Sequence, residues 1–207
     1  MPTRFADAPL AIPPACAAAV IAAWSTPPRA YHDLAHLDAV LAEFHAAAAR
    51  APWRQPREVY WALCCHDAIY VAGAADNEAR SAELADALAR AHLPADLDRA
   101  AVRAMILATA RHGAIAGEQL DRDTARMLDC DLAILGAPPD RFDAYDAAVA
   151  VEYAHVPPAA FRAGRGAFLA KLLAAPRIFC SDDGHARLDA AARSNLSRAV
   201  ARLAIDA

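Results

Sequence analysis

The sequence predicts an all-α fold, a single-domain helical bundle of about nine helices. Alanine occupies 60 of the 207 positions, and alanine is the strongest helix former and a poor strand former. Between the proline and glycine breaks, apolar residues recur at spacings of three and four rather than two, which is the helical period. The length is that of one ordinary domain, so we expect residues 1–207 to form a single domain.

The first three predicted helices each carry a distinct signal. The Pro-Pro pair at 13–14 can start a helix that ends before the next Pro-Pro pair. A second helix over residues 33–49 has an apolar stripe along one face. That stripe consists of Leu34, Leu37, Leu41 and Phe44. A third helix over residues 57–70 is apolar almost all round, which is typical of a buried central helix.

Capping residues and chain breaks define the other six helices. Asp76 or Asn77 can cap the fourth helix and Asp96 the fifth, because short polar side chains accept hydrogen bonds from the first free N–H groups. Glycine and two prolines close the sixth helix after Leu135. The six predicted helices span about residues 77–91, 96–112, 121–135, 141–154, 158–174 and 184–204.

Composition and charge exclude several classes of protein. The formal net charge is -4 with 21 basic and 25 acidic side chains, so we expect no nucleic-acid polymer and no membrane surface as partner. No apolar run approaches the ~20 residues of a membrane span. The five cysteines are odd in number and contain no C-x-x-C motif, which favours a reduced cytoplasmic location. A homodimer remains open.

One pair of residues conflicts with its own surroundings. His66 and Asp67 lie inside the most apolar predicted helix, and an unpaired buried carboxylate costs several kcal/mol. Two other apolar stripes hold candidates for compensation, His36 in the second helix and Asp131 in the sixth. Two imidazoles and two carboxylates would form a nitrogen and oxygen site for a divalent metal. The pattern fits manganese, iron, cobalt, nickel, zinc or magnesium and does not choose among them.

Five segments together resemble the HD-domain superfamily, and more narrowly its branch of metal-dependent phosphohydrolases. They are YHDLAH at 31–36, CCHDAIY at 64–70, DNEARSA at 76–82, ILATARH at 106–112 and LDCDLAILG at 128–136. The resemblance implies an HD-type helical fold with one divalent metal ion. It implies that His36, His66, Asp67 and Asp131 are the ligands.

The distal carboxylate has a rival. Asp129 lies two positions before Asp131, and side chains two apart on a helix point about 200° away from each other, so both are not expected to bind one metal. The resemblance favours Asp131, because the distal aspartate of the superfamily is usually followed by a leucine-rich continuation of its helix. A mononuclear site is expected, with a binuclear site as the alternative.

Further site residues follow from the resemblance. Asp67, Glu78, His32 and His112 are the candidate catalytic residues. His32 or His112 can contact substrate or hold a second metal, and Glu78 can act as general acid or base or only cap a helix. Five arginines are candidates for binding phosphate oxygens, since a guanidinium fork suits them. These are Arg29, Arg80, Arg111, Arg165 and Arg193.

The resemblance implies an enzyme that hydrolyses a phosphomonoester or phosphodiester. The expected substrate is a nucleotide or another small phosphorylated metabolite, attacked by a metal-activated water. Two alternatives remain open. One is a regulator that binds nucleotide or metal without turnover, and the other is a di-iron HD oxygenase.

Overall fold

The computed structural model describes residues 3–113 and 120–205, and in these ranges the chain forms nine α-helices and no strand. The all-α prediction is therefore confirmed. The helices are α1 Pro14–Trp24, α2 Leu34–Arg50, α3 Pro56–Cys65, α4 Asn77–His92, α5 Arg99–Thr109, α6 Arg122–Leu132, α7 Pro139–Glu152, α8 Pro158–Ala174 and α9 Asp182–Ile205. Short 3-10 helices occupy Thr3–Phe5 and Ala133–Gly136.

The chain divides into two compact units, Met1–Ala110 with α1 to α5 and Arg111–Ala207 with α6 to α9. In the first unit, α3 is the central helix. Eight of its ten residues, 58–65, are buried. In the second unit, α6 to α9 enclose an apolar cluster that includes Phe142 and Phe179. Whether the two units make up one domain stays a prediction.

Aspartate side chains cap the first residues of three helices. Asp33 accepts hydrogen bonds from two main-chain N–H groups at the start of α2, and Asp121 does the same for α6. The predicted start of α5 at Asp96 is wrong. Asp98 is the capping residue instead, and its carboxylate accepts from Ala101 N at 3.0 Å. Asp96 pairs with Arg57, Nη1 to Oδ2 at 3.1 Å, so its carboxylate serves a different contact.

The end of α3 departs most from the sequence prediction. The helix ends at Cys65, so His66 and Asp67 follow it and do not lie inside it. The last carbonyls of a helix lack intrahelical partners, and here side chains supply donors for them. Trp24 Nε1 donates to Cys64 O at 2.8 Å, and His66 Nδ1 donates to Leu63 O at 2.9 Å. Apolar periodicity does not reveal a donor as distant in sequence as Trp24, and it therefore predicts a longer helix.

Thiols and helix hydropathy complete the description. The five cysteines are free, and all but the half-buried Cys180 are buried. Burial raises the pKa of Cys16 and Cys180 to about 11 and holds the pKa of Cys64 and Cys65 well above the usual value for a thiol. Among the described helices, none combines the length and the apolar character needed to cross a bilayer.

Candidate metal centre

Three of the four predicted metal ligands lie together in the first unit. His36 comes from the first turn of α2, and His66 and Asp67 come from the turn after α3. The two imidazole Nε2 atoms are 3.3 Å apart. Asp67 Oδ2 lies 3.3 Å from Nε2 of His66 and 3.9 Å from Nε2 of His36. The three ligand atoms thus lie within 3.9 Å of one another.

The orientation of His66 favours a ligand role. Its Nδ1 lies 2.9 Å from Leu63 O, and a carbonyl oxygen can only accept, so Nδ1 carries the proton. In the neutral form of the ring, Nε2 would then present a lone pair on the side of His36 and Asp67. In a metal-binding histidine, the ring nitrogen that does not bind the metal usually donates a hydrogen bond, for example to a main-chain carbonyl. That bond fixes the orientation of the ring.

The chemistry of this donor set fits a divalent cation. His66 is fully buried and His36 is 5% exposed. The Asp67 side chain is 15% exposed, so its carboxylate is largely removed from water. A cation beside it would offset that desolvation. Two imidazole nitrogens and a carboxylate oxygen are ligands for the first-row transition metals and zinc, with magnesium a weaker match because it prefers oxygen.

Aromatic rings surround these ligands. The Trp24 ring centroid lies 5.4 Å from that of His66 and 5.9 Å from that of His36. Tyr31 approaches His36 on another side, with centroids 4.7 Å apart. These rings limit the rotamers of both imidazoles and exclude water from them, which strengthens electrostatic interactions at the ligand atoms.

His32 lies at the edge of the same cluster. Its Nε2 is 3.9 Å from Asp67 Oδ2, and its ring stacks on Tyr70 with centroids 4.0 Å apart. The His32 side chain is 19% exposed, more than that of His36 or His66. A contact from His32 to substrate or to a second metal stays a prediction.

Two residues that the sequence analysis did not assign to the site hold the chain after Asp67. Ser81 Oγ accepts from Ile69 N at 3.0 Å and donates to Ile69 O at 3.1 Å. The Asn77 amide bonds to Val71 N and O at 3.0 and 2.9 Å. Both residues belong to the DNEARSA segment, and both are buried at the start of α4, four positions apart, whereas Arg80 of the same segment is exposed. Their spacing of four positions, which puts two short polar side chains on one face of a helix, is the sequence signal that could have identified them.

Glu78 and Arg80 come from the same segment. Glu78 is half-buried in the first turn of α4, and Arg80 is exposed on the next turn. Their predicted roles stay predictions.

Arg29 donates to three main-chain carbonyls of the first unit. Nη1 donates to His32 O and, at 2.9 Å, to Asp67 O, and Nη2 donates to Ala68 O at 2.8 Å. The guanidinium also lies 5.5 Å from the centroid of the Trp24 ring. A contact from Arg29 to substrate stays a prediction.

In the second unit, the two rival aspartates of α6 differ in their partners. Asp129 is buried, and its carboxylate accepts from Cys180 N at 2.6 Å and Ser181 N at 2.9 Å. Burial raises the pKa of Asp129 to about 6, although the hydrogen bonds from Ser181 and Cys180 act in the opposite direction. Asp131 Oδ2 instead lies 2.8 Å from His112 Nε2. Asp129 therefore serves the chain before α9, and Asp131 remains the predicted ligand.

The other predicted phosphate-binding arginines belong to the second unit. Arg165 bonds twice to Asp146 Oδ1, at 2.9 and 3.0 Å. Arg193 bonds to Asp189 and to three main-chain carbonyls, Leu173 O, Ala175 O and Pro176 O. Arg111 is exposed. The first two guanidinium groups thus make contacts that stabilise this unit, and the substrate role of all three stays a prediction.

Comparison with known proteins returned no matching family model, no matching curated protein and no matching solved structure. The described residues form a helical fold with a His/Asp cluster that could hold a metal ion, and these two features are only weakly compatible with an HD-like domain.

Proposed function

We propose that this chain is a metal-dependent phosphohydrolase of the HD type, acting on a nucleotide or another small phosphorylated metabolite. His36, His66 and Asp67 would hold one divalent metal ion, and Asp131 would be the fourth ligand, as the sequence pattern predicts. The single observation that supports the proposal most is the approach of His36 Nε2, His66 Nε2 and Asp67 Oδ2 to within 3.9 Å of one another.

The chemistry of such a site suits phosphoester hydrolysis. A bound divalent ion would polarise a phosphoryl oxygen and lower the pKa of a bound water toward neutrality. Neutral imidazole ligands add no negative charge to the metal ion. A site with two imidazoles and few carboxylates therefore keeps the metal a strong enough Lewis acid to lower the pKa of the bound water.

The residues of the chain would bind and orient the substrate. His32 is half-buried beside Asp67 and can donate a hydrogen bond from Nε2 to a phosphoryl oxygen. Tyr70 stacks on the His32 ring and fixes its plane, which limits the directions in which that N–H can point. Trp24 and Tyr31 exclude water from the imidazoles on the inner side.

A phosphatase screen tests the proposal directly. The metal-stripped chain would be incubated with manganese, cobalt, nickel or magnesium and a panel of nucleotides and sugar phosphates, with phosphate release as the readout. His66→Ala and Asp67→Ala should each abolish both bound metal and turnover. His45→Ala is the matched control, because His45 is exposed on the same helix as His36. Full turnover by metal-free His66→Ala would end the proposal.

Two other outcomes would point to the alternative functions. Two irons per chain together with oxygen consumption would indicate a di-iron oxygenase. Thermal stabilisation by nucleotides without product, in every metal tried, would indicate a regulator that binds its ligand and does not turn it over.

A further inference from the structure

Arg29 connects both chain segments that carry the ligands of the first unit. One segment, residues 29–36, leads into α2 and carries His32 and His36. The other, residues 66–68, follows α3 and carries His66 and Asp67. Arg29 Nη1 donates to His32 O in the first segment and to Asp67 O in the second, and Nη2 donates to Ala68 O.

The guanidinium also contacts two of the rings that orient the imidazoles. Its Cζ lies 5.5 Å from the centroid of Trp24 and 5.8 Å from that of Tyr70. Trp24 donates to Cys64 O at the end of α3 and flanks His66, while Tyr70 stacks on His32. One side chain thus contacts the main chain of both segments and two of the rings beside the ligands.

The chemistry of arginine explains why this position needs it. A guanidinium presents five N–H donors in a rigid plane, and it can therefore bridge carbonyls that a single ammonium group cannot reach at once. A positive charge near the C-terminal end of α3 is also favoured by the helix dipole. Loss of the fork would leave the Asp67 and Ala68 carbonyls without these donors and would remove a direct link between the two segments.

We propose that Arg29 is a positioning residue for the metal centre, one that sets the separation between the ligands on residues 29–36 and those on residues 66–68. This role is separate from the substrate contact expected from the sequence, which stays a prediction. It rests on the proposed function only in requiring that His36, His66 and Asp67 bind a metal. It does not depend on the reaction or the substrate.

The test measures the affinity of the metal-stripped chain for Co²⁺, by competition with a chelating dye, together with the visible absorption spectrum of the bound Co²⁺. Arg29→Met and Arg29→Ala should weaken binding by roughly 10- to 100-fold, as loss of a group that orients metal ligands typically does, and should change the spectrum. Arg29→Lys should lie between these variants and the wild type. Arg90→Met is the matched control, because Arg90 is an exposed arginine of the same unit whose partner is Asp86 on its own helix.

Chemical rescue separates the planar fork from charge alone. Ethylguanidinium should restore much of the Co²⁺ affinity of Arg29→Ala, and ethylammonium at the same sub-denaturing concentration should not. Equal rescue by the two cations would overturn the proposed role of the fork. If Arg29→Ala does not fold, as judged by far-UV circular dichroism, the comparison of Arg29→Lys with wild type decides.

Failure of this inference differs from failure of the proposed function. Folded Arg29 variants with the Co²⁺ affinity and spectrum of the wild type would overturn the inference while leaving the phosphohydrolase proposal intact. A wild-type chain that binds no divalent metal would overturn both. Metal affinity that depends on Arg29 in a chain without phosphatase activity would support the inference and count against the enzyme.

Discussion

His112 Nε2 lies 2.8 Å from Asp131 Oδ2, a hydrogen-bond distance between a half-buried imidazole and a half-buried carboxylate. His112 lies just beyond the end of α5, and Asp131 lies near the end of α6. A histidine bonded to a metal-binding carboxylate fixes the direction of that carboxylate, so this contact can hold Asp131 in a ligand orientation.

If Asp131 is the fourth ligand, His112→Ala should weaken divalent-metal binding by roughly 10- to 100-fold, because the carboxylate would lose the group that orients it. The measurement is the Kd for Mn²⁺ or Co²⁺ of the folded variant. His155→Ala is a suitable control, since His155 is exposed in the same unit. An unchanged Kd would show that the His112 contact has no part in metal binding.

Substitutions of Asp129 and Asp131 should have different effects, the first on stability and the second on metal binding. Asp129→Ala removes the acceptor of the Cys180 and Ser181 N–H groups, and we expect it to lower the free energy of unfolding by about 2–4 kcal/mol. Its metal Kd should stay that of the wild type. Asp131→Ala should do the reverse, with a large loss of metal affinity and a smaller loss of stability.

Urea unfolding in the presence of chelator and metal titration of both variants provide this comparison. If Asp129→Ala lost metal and Asp131→Ala kept it, the distal ligand would have been assigned to the wrong aspartate.

Trp24 should report metal binding by fluorescence. Its ring lies 5.4 Å from the His66 ring, so a paramagnetic ion such as Co²⁺ or Ni²⁺ bound there should quench its emission. Trp24→Phe should remove most of the quenching, whereas Trp53→Phe, which alters a ring stacked on Phe44, should retain it. Equal quenching in the wild type and in Trp24→Phe would place the bound ion elsewhere.

Ser81 should stabilise the fold through its two hydrogen bonds to the main chain of Ile69. Ser81→Ala removes both hydrogen bonds to Ile69, and the expected loss is about 1–3 kcal/mol in the free energy of unfolding. Chemical denaturation measures this loss. Ser194→Ala, at an exposed position of α9, should change stability by less than about 0.5 kcal/mol. Similar values for the two variants would mean that the chain after Asp67 is held by other contacts.

Local signals in the sequence were sufficient for most of the fold. Apolar periodicity, alanine content and prolines predict nine helices, and the predicted span of α8 agrees with Pro158–Ala174 at both ends. The error at the end of α3 has a distant cause. Trp24 is 40 positions away from Cys64, whose carbonyl it bonds, and periodicity contains no information about such a donor.

In the candidate site too, the sequence could predict some residues and could not predict the contacts of others. His36, His66 and Asp67 could be predicted because polar residues in apolar surroundings need compensation, and the structure brings these three together. The partners of Arg29 could not be predicted in this way. An arginine that binds phosphate and one that binds main-chain carbonyls are alike in sequence, since only the folded chain determines what the guanidinium meets.

Because Cys64 and Cys65 are buried, the rate at which they are alkylated reports how often the native chain opens. Alkylation requires an accessible thiolate, and Cys64 and Cys65 are fully buried in the central helix of the first unit, with pKa values held well above normal. A reagent added to the native chain can react with these two sulfurs only when that helix opens to solvent. Their labelling rate, followed by mass spectrometry, therefore measures how often the innermost part of the unit is exposed, with no denaturant and no engineered probe.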